Sequence, residues 1–331
     1  MTAVSMVQPG KGILAADEST GTIEKKFRDI GVPCTEETRR EWRGLLFETQ
    51  SISEYISGVI LFEETLQQET LDGVKFVDLL TSQGIIPGVK VDKSTHLLAG
   101  SNDEVVTEGL DGLRPRLEAF RVSGARFTKW RAVFKIGRGL PSDYAIDVNS
   151  HALARFASLS QEQGLVPIVE PEVLLDGNHS IEDCYSATKA VLESTFEHLH
   201  RQHVALDCMV LKPNMVLSGK DAPHRSDANE VAKKTIFCFL ETVPKQVPGI
   251  AFLSGGQSDE ECTMNLDAIN VEGTKTTVPW ELTYSFSRGL LALPLKKWNG
   301  SRANIGEAQK AFEKRGRSTA LARVGKYQTR I

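Results

Sequence analysis

Eight short apolar runs, alternating with amphipathic helical stretches, predict an α/β fold: a closed (β/α)8 TIM barrel with extra terminal helices. The runs recur at intervals of roughly 30–45 residues. The stretches between them carry apolar residues at helical spacing, so consecutive strands join by right-handed crossovers into a parallel sheet. An open doubly wound sheet is the nearest alternative, but no GxGxxG follows the first run. No Gly/Ser-rich linker or low-complexity stretch interrupts the 331 residues, which reads as one domain over residues 1–331.

The first strand is Gly12-Ile13-Leu14-Ala15-Ala16 and the second Ser57 to Phe62. Ile85-Ile86-Pro87-Gly88-Val89 and Phe127 to Val133 follow, then Leu165-Val166-Pro167-Ile168-Val169. Asp207-Cys208-Met209-Val210-Leu211 is a nearly continuous apolar run, as a strand covered on both faces should be. Gly249 to Leu253 and Glu281 to Phe286 complete the eight. Residues Asn149 to Gln163, Ile181 to Leu199 and Asn229 to Thr242 read as helices. From about Lys296 the chain is helical and charged, a segment expected to pack outside the barrel.

Hydrophobic residues make up 40% and charged residues 25%, enough apolar material for a large core. A net charge of -4 gives no global reason to expect a nucleic-acid or membrane partner. No apolar run approaches the roughly 20 residues that cross a bilayer, and Met1 to Met6 lacks a signal-peptide layout. The cysteines (Cys34, Cys184, Cys208, Cys238, Cys262) are odd in number and form no CxxC pair, favouring reduced thiols in a cytoplasmic protein over disulfides or zinc. His198, His200 and His203 do not share a helix face, so no metal site is expected there.

In such a barrel chemistry gathers at the carboxyl ends of the strands. There the sequence places Asp17 and Ser19, Lys90, Lys129 and Arg131, Glu170 and Glu172, Lys212, Ser254-Gly255-Gly256 and Arg288. Charges at nearly every mouth position are hard to explain by packing. Each has a plainer reading. Lys212 alone reads as a lysine snorkelling from a strand end; Asp17 reads equally as a helix N-terminal carboxylate beside Ser19 and Thr20. Glu170 and Glu172 share a face only if their strand continues. Lys129 and Arg131 would point together into the barrel, which requires an anionic partner such as Glu170. Two ammonium groups in one closed cavity lower the pKa of the worse solvated one, and a neutral amine is what attacks a carbonyl. Glu170 is placed to move protons during carbinolamine dehydration. The two glycines after Ser254 suit either a tight turn or a backbone cradle for phosphate, with Arg288 adding a charge contact. Lys26 and Arg39 sit on helix faces where charges are usually only solvated.

The segments Gly10-Lys11-Gly12-Ile13-Leu14-Ala15-Ala16-Asp17-Glu18-Ser19-Thr20-Gly21, Lys129-Trp130-Arg131, Val166 to Glu172, Leu211 to Val216 and Phe252 to Ser258 resemble class I fructose-bisphosphate aldolase, over about residues 9–327. The resemblance implies reversible cleavage of fructose 1,6-bisphosphate to dihydroxyacetone phosphate and glyceraldehyde 3-phosphate, in glycolysis and gluconeogenesis, with no metal or cofactor. It implies a Schiff base on Lys212, proton handling by Glu170 and Lys129, and removal of the hydroxyl proton by Asp17, with Glu172 supporting the network. Ser254, Gly255, Gly256, Ser285 and Arg288 would hold the phosphate of the dihydroxyacetone half. Ser19, Lys26, Arg39 and Lys90 would lie toward the other phosphate, and Arg131 is a further substrate contact. A homotetramer, and a cytoskeletal or adaptor partner, follow from the resemblance alone.

The chain departs from the family pattern in places. Lys26 stands where arginine is usual, and Phe286-Ser287 replaces Tyr-Gly before Arg288. The N-terminal helix reads as short, and Tyr327 to Ile331 do not match the family's mobile tail ending in tyrosine. Either the sequence stops short of that tail, or the proton step assigned to the tyrosine is missing and the enamine releases its ketone slowly. Two competing functions remain on the sequence: another lysine-dependent aldolase or transaldolase with one phosphate site, and a binding scaffold with little chemistry.

Overall fold

The computed structural model describes residues 2–327. Eight parallel strands close into a barrel in the order β1-β10-β9-β8-β7-β6-β3-β2. These are β1 (Gly12–Ala16), β2 (Ile56–Leu61), β3 (Ile86–Lys90), β6 (Phe127–Phe134), β7 (Val166–Val173), β8 (Val210–Leu211), β9 (Gly249–Phe252) and β10 (Glu281–Phe286). The short antiparallel pair β4 (Thr95–Leu97) and β5 (Val105–Thr107) stands apart from it. The first helices are α1 (Thr2–Met6), α2 (Thr20–Asp29), α3 (Glu36–Phe47), α4 (Glu63–Leu66), α5 (Phe76–Ser82) and α6 (Leu113–Val122). Then come α7 (Asp143–Glu162), α8 (Ile181–Arg201), α9 (Ala228–Thr242), α10 (Asp259–Thr276), α11 (Arg288–Trp298) and α12 (Ile305–Arg323). No helix among the described residues is long and apolar enough to cross a membrane.

The two-residue period of a strand sorts the core into two layers. Ile13, Ala15, Ile60, Phe127, Ile168, Val210 and Ala251 fill the barrel interior, and Met6 and Val7 cap its lower end. Their neighbours Leu14, Ala16, Val59, Leu61, Trp130, Val169 and Leu211 face outward into the layer between strands and helices. Inside space is short. A Cβ at Gly88 would lie 2.3 Å from the Phe127 ring, so β3 can pass that ring only as glycine.

One expected strand changes, and one strand pair lies outside the expected elements. The sixth run is not one strand: Leu206–Cys208 is a 3-10 turn with Asp207 and Cys208 exposed, and β8 keeps only Val210 and Leu211. The chain must turn there to descend from α8, and Gln161 Nε2 pins the turn by donating to Ala205 O at 2.8 Å and Cys208 O at 3.2 Å. The β4–β5 pair had no apolar signature, because His96 and Leu97 are exposed. α11 follows β10 as the helix of the eighth β/α unit, and beyond it α12 packs on α11, α10 and α3, with buried Arg315 donating to Gly289 O at 2.9 Å and Thr263 Oγ1 at 2.7 Å. His198 Nε2 lies 3.0 Å from Asp147 Oδ1. The expectations attached to Gln328 through Ile331 lie outside the described residues.

Candidate active site

Following each strand's alternation toward its carboxyl end carries charge into the interior layer, directly above its apolar floor. Ile13 and Ala15 lead to Asp17, Phe127 to Lys129 and Arg131, Ile168 to Glu170 and Glu172, Val210 to Lys212. β7 runs on to Val173, so Glu170 and Glu172 do share a face. Asp17 is not a helix carboxylate, since α2 starts at Thr20 and Asp17 reaches across the barrel. Pro213 ends the β8 ladder. Lys212 is still held by its own amide, which donates to Val169 O at 2.8 Å. Asn214 then replaces the lost ladder: its Oδ1 accepts from Val173 N at 3.0 Å, and its Nδ2 donates to Thr188 Oγ1 at 3.0 Å.

Asp17, Lys129, Arg131, Glu170, Glu172 and Lys212 line an open cavity of about 450 Å³. Lys212 is 3% exposed, and its Nζ lies 3.2 Å from Glu170 Oε1. Lys129 Nζ sits between Asp17 Oδ2 at 2.6 Å and Glu170 Oε2 at 3.1 Å. Arg131 has its own partner, Glu172, at 2.5 Å, so Glu170 serves the lysines and Glu172 the arginine.

The two lysines are pushed in opposite directions. Burial lowers the Lys212 pKa; Lys129 adds to that, and Glu170 and Asp17 offset only part of it. Burial also disfavours a charged Lys129, but Asp17 and then Glu170 outweigh it and hold this amine well above the ordinary lysine range. Asp17 and Glu170 stay below the usual carboxylate range: burial opposes their charge, and Lys129 and Lys212 overcome it. The arrangement therefore keeps one amine protonated between two carboxylates and lets the other give up its proton.

Around this centre, Ser19, Lys26, Lys90, Ser254, Gly255, Gly256, Ser285 and Arg288 all line the same cavity. Gly255 and Gly256 have φ of 47° and 87°, which explains glycine at both positions of the turn. Arg288 Nη1 donates to Gly256 O at 3.3 Å, tying α11 to that turn. Ser285 Oγ is buried and has no hydrogen-bond partner among the described residues. Arg39 is the exception. Its Nε donates to both carboxylate oxygens of Glu64, at 3.0 and 2.9 Å, and it does not line the cavity. A nearby acidic residue on α4 neutralises it, as charged helix faces commonly are.

Sequence reasoning gave no role to Glu18, Arg43, Asp92 or Ser287. Asp92 accepts from Lys90 Nζ and from the backbone of Ser94 (3.1 Å) and Arg131 (3.3 Å), so it organises two strand ends. Arg43 is 3% exposed inside the run Trp42 to Phe47, and an arginine in so apolar a stretch was the available signal.

The family model described as fructose-bisphosphate aldolase class-I matches residues 1–331. The chain is 50% identical over 328 residues to the probable fructose-bisphosphate aldolase class 1 of Xanthomonas axonopodis pv. citri (strain 306), covering 99% of this chain and 97% of that protein. It is 51% identical over 321 residues to cytosolic fructose-bisphosphate aldolase 4 of Arabidopsis thaliana, covering 97% and 81%. Among solved structures, the fructose-bisphosphate aldolase of Plasmodium falciparum, crystallised with TRAP and a small-molecule inhibitor, superposes with a TM-score of 0.97 at 45% identity, covering 99% of this chain and 94% of that one. With a closed barrel, a buried lysine pair at its mouth and full-length similarity in hand, the chain belongs to the class-I fructose-bisphosphate aldolase family.

Proposed function

We propose that Lys212 is the Schiff-base lysine through which this aldolase cleaves fructose 1,6-bisphosphate. The neutral amine adds to the ketone carbon. Glu170, 3.2 Å away and ionised at rest, first takes the proton that the Lys212 ammonium gives up; once the N–H proton freed on addition has moved to the new alkoxide, Glu170 returns its proton to the carbinolamine hydroxyl, and water leaves to give an iminium. Asp17 then takes the proton of the hydroxyl on the neighbouring carbon beyond the scissile bond. The carbon–carbon bond breaks, glyceraldehyde 3-phosphate leaves, and the electron pair enters the iminium to form an enamine. Protonation and hydrolysis return the amine and dihydroxyacetone phosphate. Lys129 holds Asp17 and Glu170 ionised at the right separation and passes protons between them.

In the same reading, Ser254, Gly255, Gly256, Ser285 and Arg288 receive the phosphate of the ketone half. Ser19, Lys26 and Lys90 lie toward the other phosphate, with Arg131 held by Glu172 at the cavity wall. A cytoplasmic location is supported by the cytosolic name of the Arabidopsis relative. Assembly as a homotetramer belongs to this reading as well, and so, by likeness to the Plasmodium aldolase bound to TRAP, does a protein partner.

The single observation behind the proposal is Lys212, dry and with lowered basicity, in contact with Glu170. The test is borohydride reduction with dihydroxyacetone phosphate. A covalent adduct on Lys212, formed equally in the presence of a chelator, supports it. An adduct elsewhere, or none, overturns it, and none at all would favour a binding scaffold.

A further inference from the structure

Lys26 and Ser287 lie 261 residues apart in the chain yet meet on one carboxylate, that of Glu18. Glu18 follows Asp17 at the end of β1, and its side chain is buried. Its Oε2 is held at 2.7 Å by Arg43, which reaches in from α3. Its Oε1 accepts from Lys26 Nζ at 2.6 Å and from Ser287 Oγ at 3.1 Å, and those two donors are 3.5 Å from each other.

Ser287 is the residue before the first turn of α11, where a serine hydroxyl ordinarily accepts from a helix N–H. Here it makes no such cap. Its hydroxyl is turned toward Glu18 instead, so the start of α11, and with it Arg288, is tied to the end of β1. Lys26 lies on α2, which follows β1, the strand beside β10 in the barrel. Because Arg43 neutralises Glu18, the charge of Lys26 is left over for an anionic group in the cavity. A lysine offers Glu18 Oε1 a single nitrogen, whereas a guanidinium is longer and presents a fork of donors. Ser287 Oγ lies 3.5 Å from Lys26 Nζ, so a longer side chain at position 26 meets that hydroxyl.

We propose that Lys26, Glu18 and Ser287 act as one positioning unit, in which the Ser287 hydroxyl completes the coordination of Glu18 that a lysine at position 26 leaves open, and so couples the placement of Arg288 to that of Lys26. The unit rests on the reading of the Lys212 cavity given above. Positions 26 and 287 are therefore a matched pair, and a change at one is tolerated only with a change at the other.

The test is a double-mutant cycle on the full chain: K26R, S287G and the double variant, each assayed for KM with fructose 1,6-bisphosphate. Each single substitution raises KM about fivefold, and the double returns to within about twofold of the parent, because the guanidinium then takes the vacated room. S287A, which removes only the hydroxyl, raises KM in the same direction, and thermal unfolding verifies that every variant is folded. Single effects that multiply in the double variant, or a KM unmoved by S287A, overturn the proposal. Borohydride trapping on the parent separates the two layers of inference. No adduct at Lys212 removes the reading beneath; an adduct together with multiplying effects removes only the coupling.

Discussion

Replacing Lys129 with methionine removes a cation 2.6 Å from Asp17 and 3.1 Å from Glu170, in a site where all three are nearly dry. Two consequences follow, and they are separable. The first is stability. Removing one partner of a buried ion pair costs about 3–5 kcal/mol; Glu170 keeps Lys212, so the low end, about 3 kcal/mol, applies. For a chain of 331 residues that lowers Tm by roughly 4 °C. The second is reactivity. Lys129 lowers the basicity of Lys212 by repulsion, and it also occupies the two carboxylates that otherwise attract the Lys212 proton. Removing it raises the Lys212 pKa by both routes. The acid limb of kcat/KM then moves to higher pH, and turnover at neutral pH falls about 10²- to 10⁴-fold, the range for loss of a proton-handling group. Cleavage assays and borohydride trapping across pH, with calorimetry on the same sample, read all of this. A variant that loses stability yet traps dihydroxyacetone phosphate with an unshifted pH profile would refute the electrostatic argument while leaving the packing one intact.

The remaining predictions are shorter. Asp17→Asn keeps the borohydride adduct on Lys212 but lowers cleavage of the bisphosphate about 10²-fold or more, since no base takes the hydroxyl proton; equal loss of trapping and cleavage contradicts the role. Asp17 and Glu170 have folded pKa values below their unfolded ones, so their pairing stabilises the fold above the unfolded carboxylate pKa and is lost as pH falls through the folded values. Asp17→Asn is accordingly less destabilising in acid than at pH 7 relative to the parent, which urea titrations at two pH values check. Gly88→Ala forces a methyl to within 2.3 Å of the Phe127 ring and costs at least about 1–3 kcal/mol in a urea titration; an unchanged midpoint contradicts the packing. Arg39→Ala leaves KM for the bisphosphate within about twofold, because Arg39 is spent on Glu64 outside the cavity; a tenfold rise would return it to the site.

Much of this was legible in the sequence because barrel strands put period-two patterning and function on the same residues. The apolar Ile168 and the charged Glu170 and Glu172 obey one alternation, so reading the floor also reads the mouth. The same holds for Phe127, Lys129 and Arg131. What stayed hidden were contacts between distant segments. Nothing local at Asp17 says that it crosses the barrel to Lys129, and nothing at Ser287 says that it faces Glu18. Arg39 misled for the opposite reason: a cation at the right distance along the chain was neutralised one helix away. The sixth strand misled because an apolar Met209 joined it to a polar turn, and periodicity cannot see where so short a strand begins.

The account turns on Lys212 surrendering its proton more readily than Lys129. NMR titration of the protein with isotope-labelled lysine side chains, Lys212 and Lys129 being assigned by substitution, measures this directly. The predicted result is a Lys212 midpoint below the ordinary lysine value of 10.5, with Lys129 still protonated throughout. A Lys212 that titrates at or above that value, or a Lys129 that deprotonates first, would contradict the account.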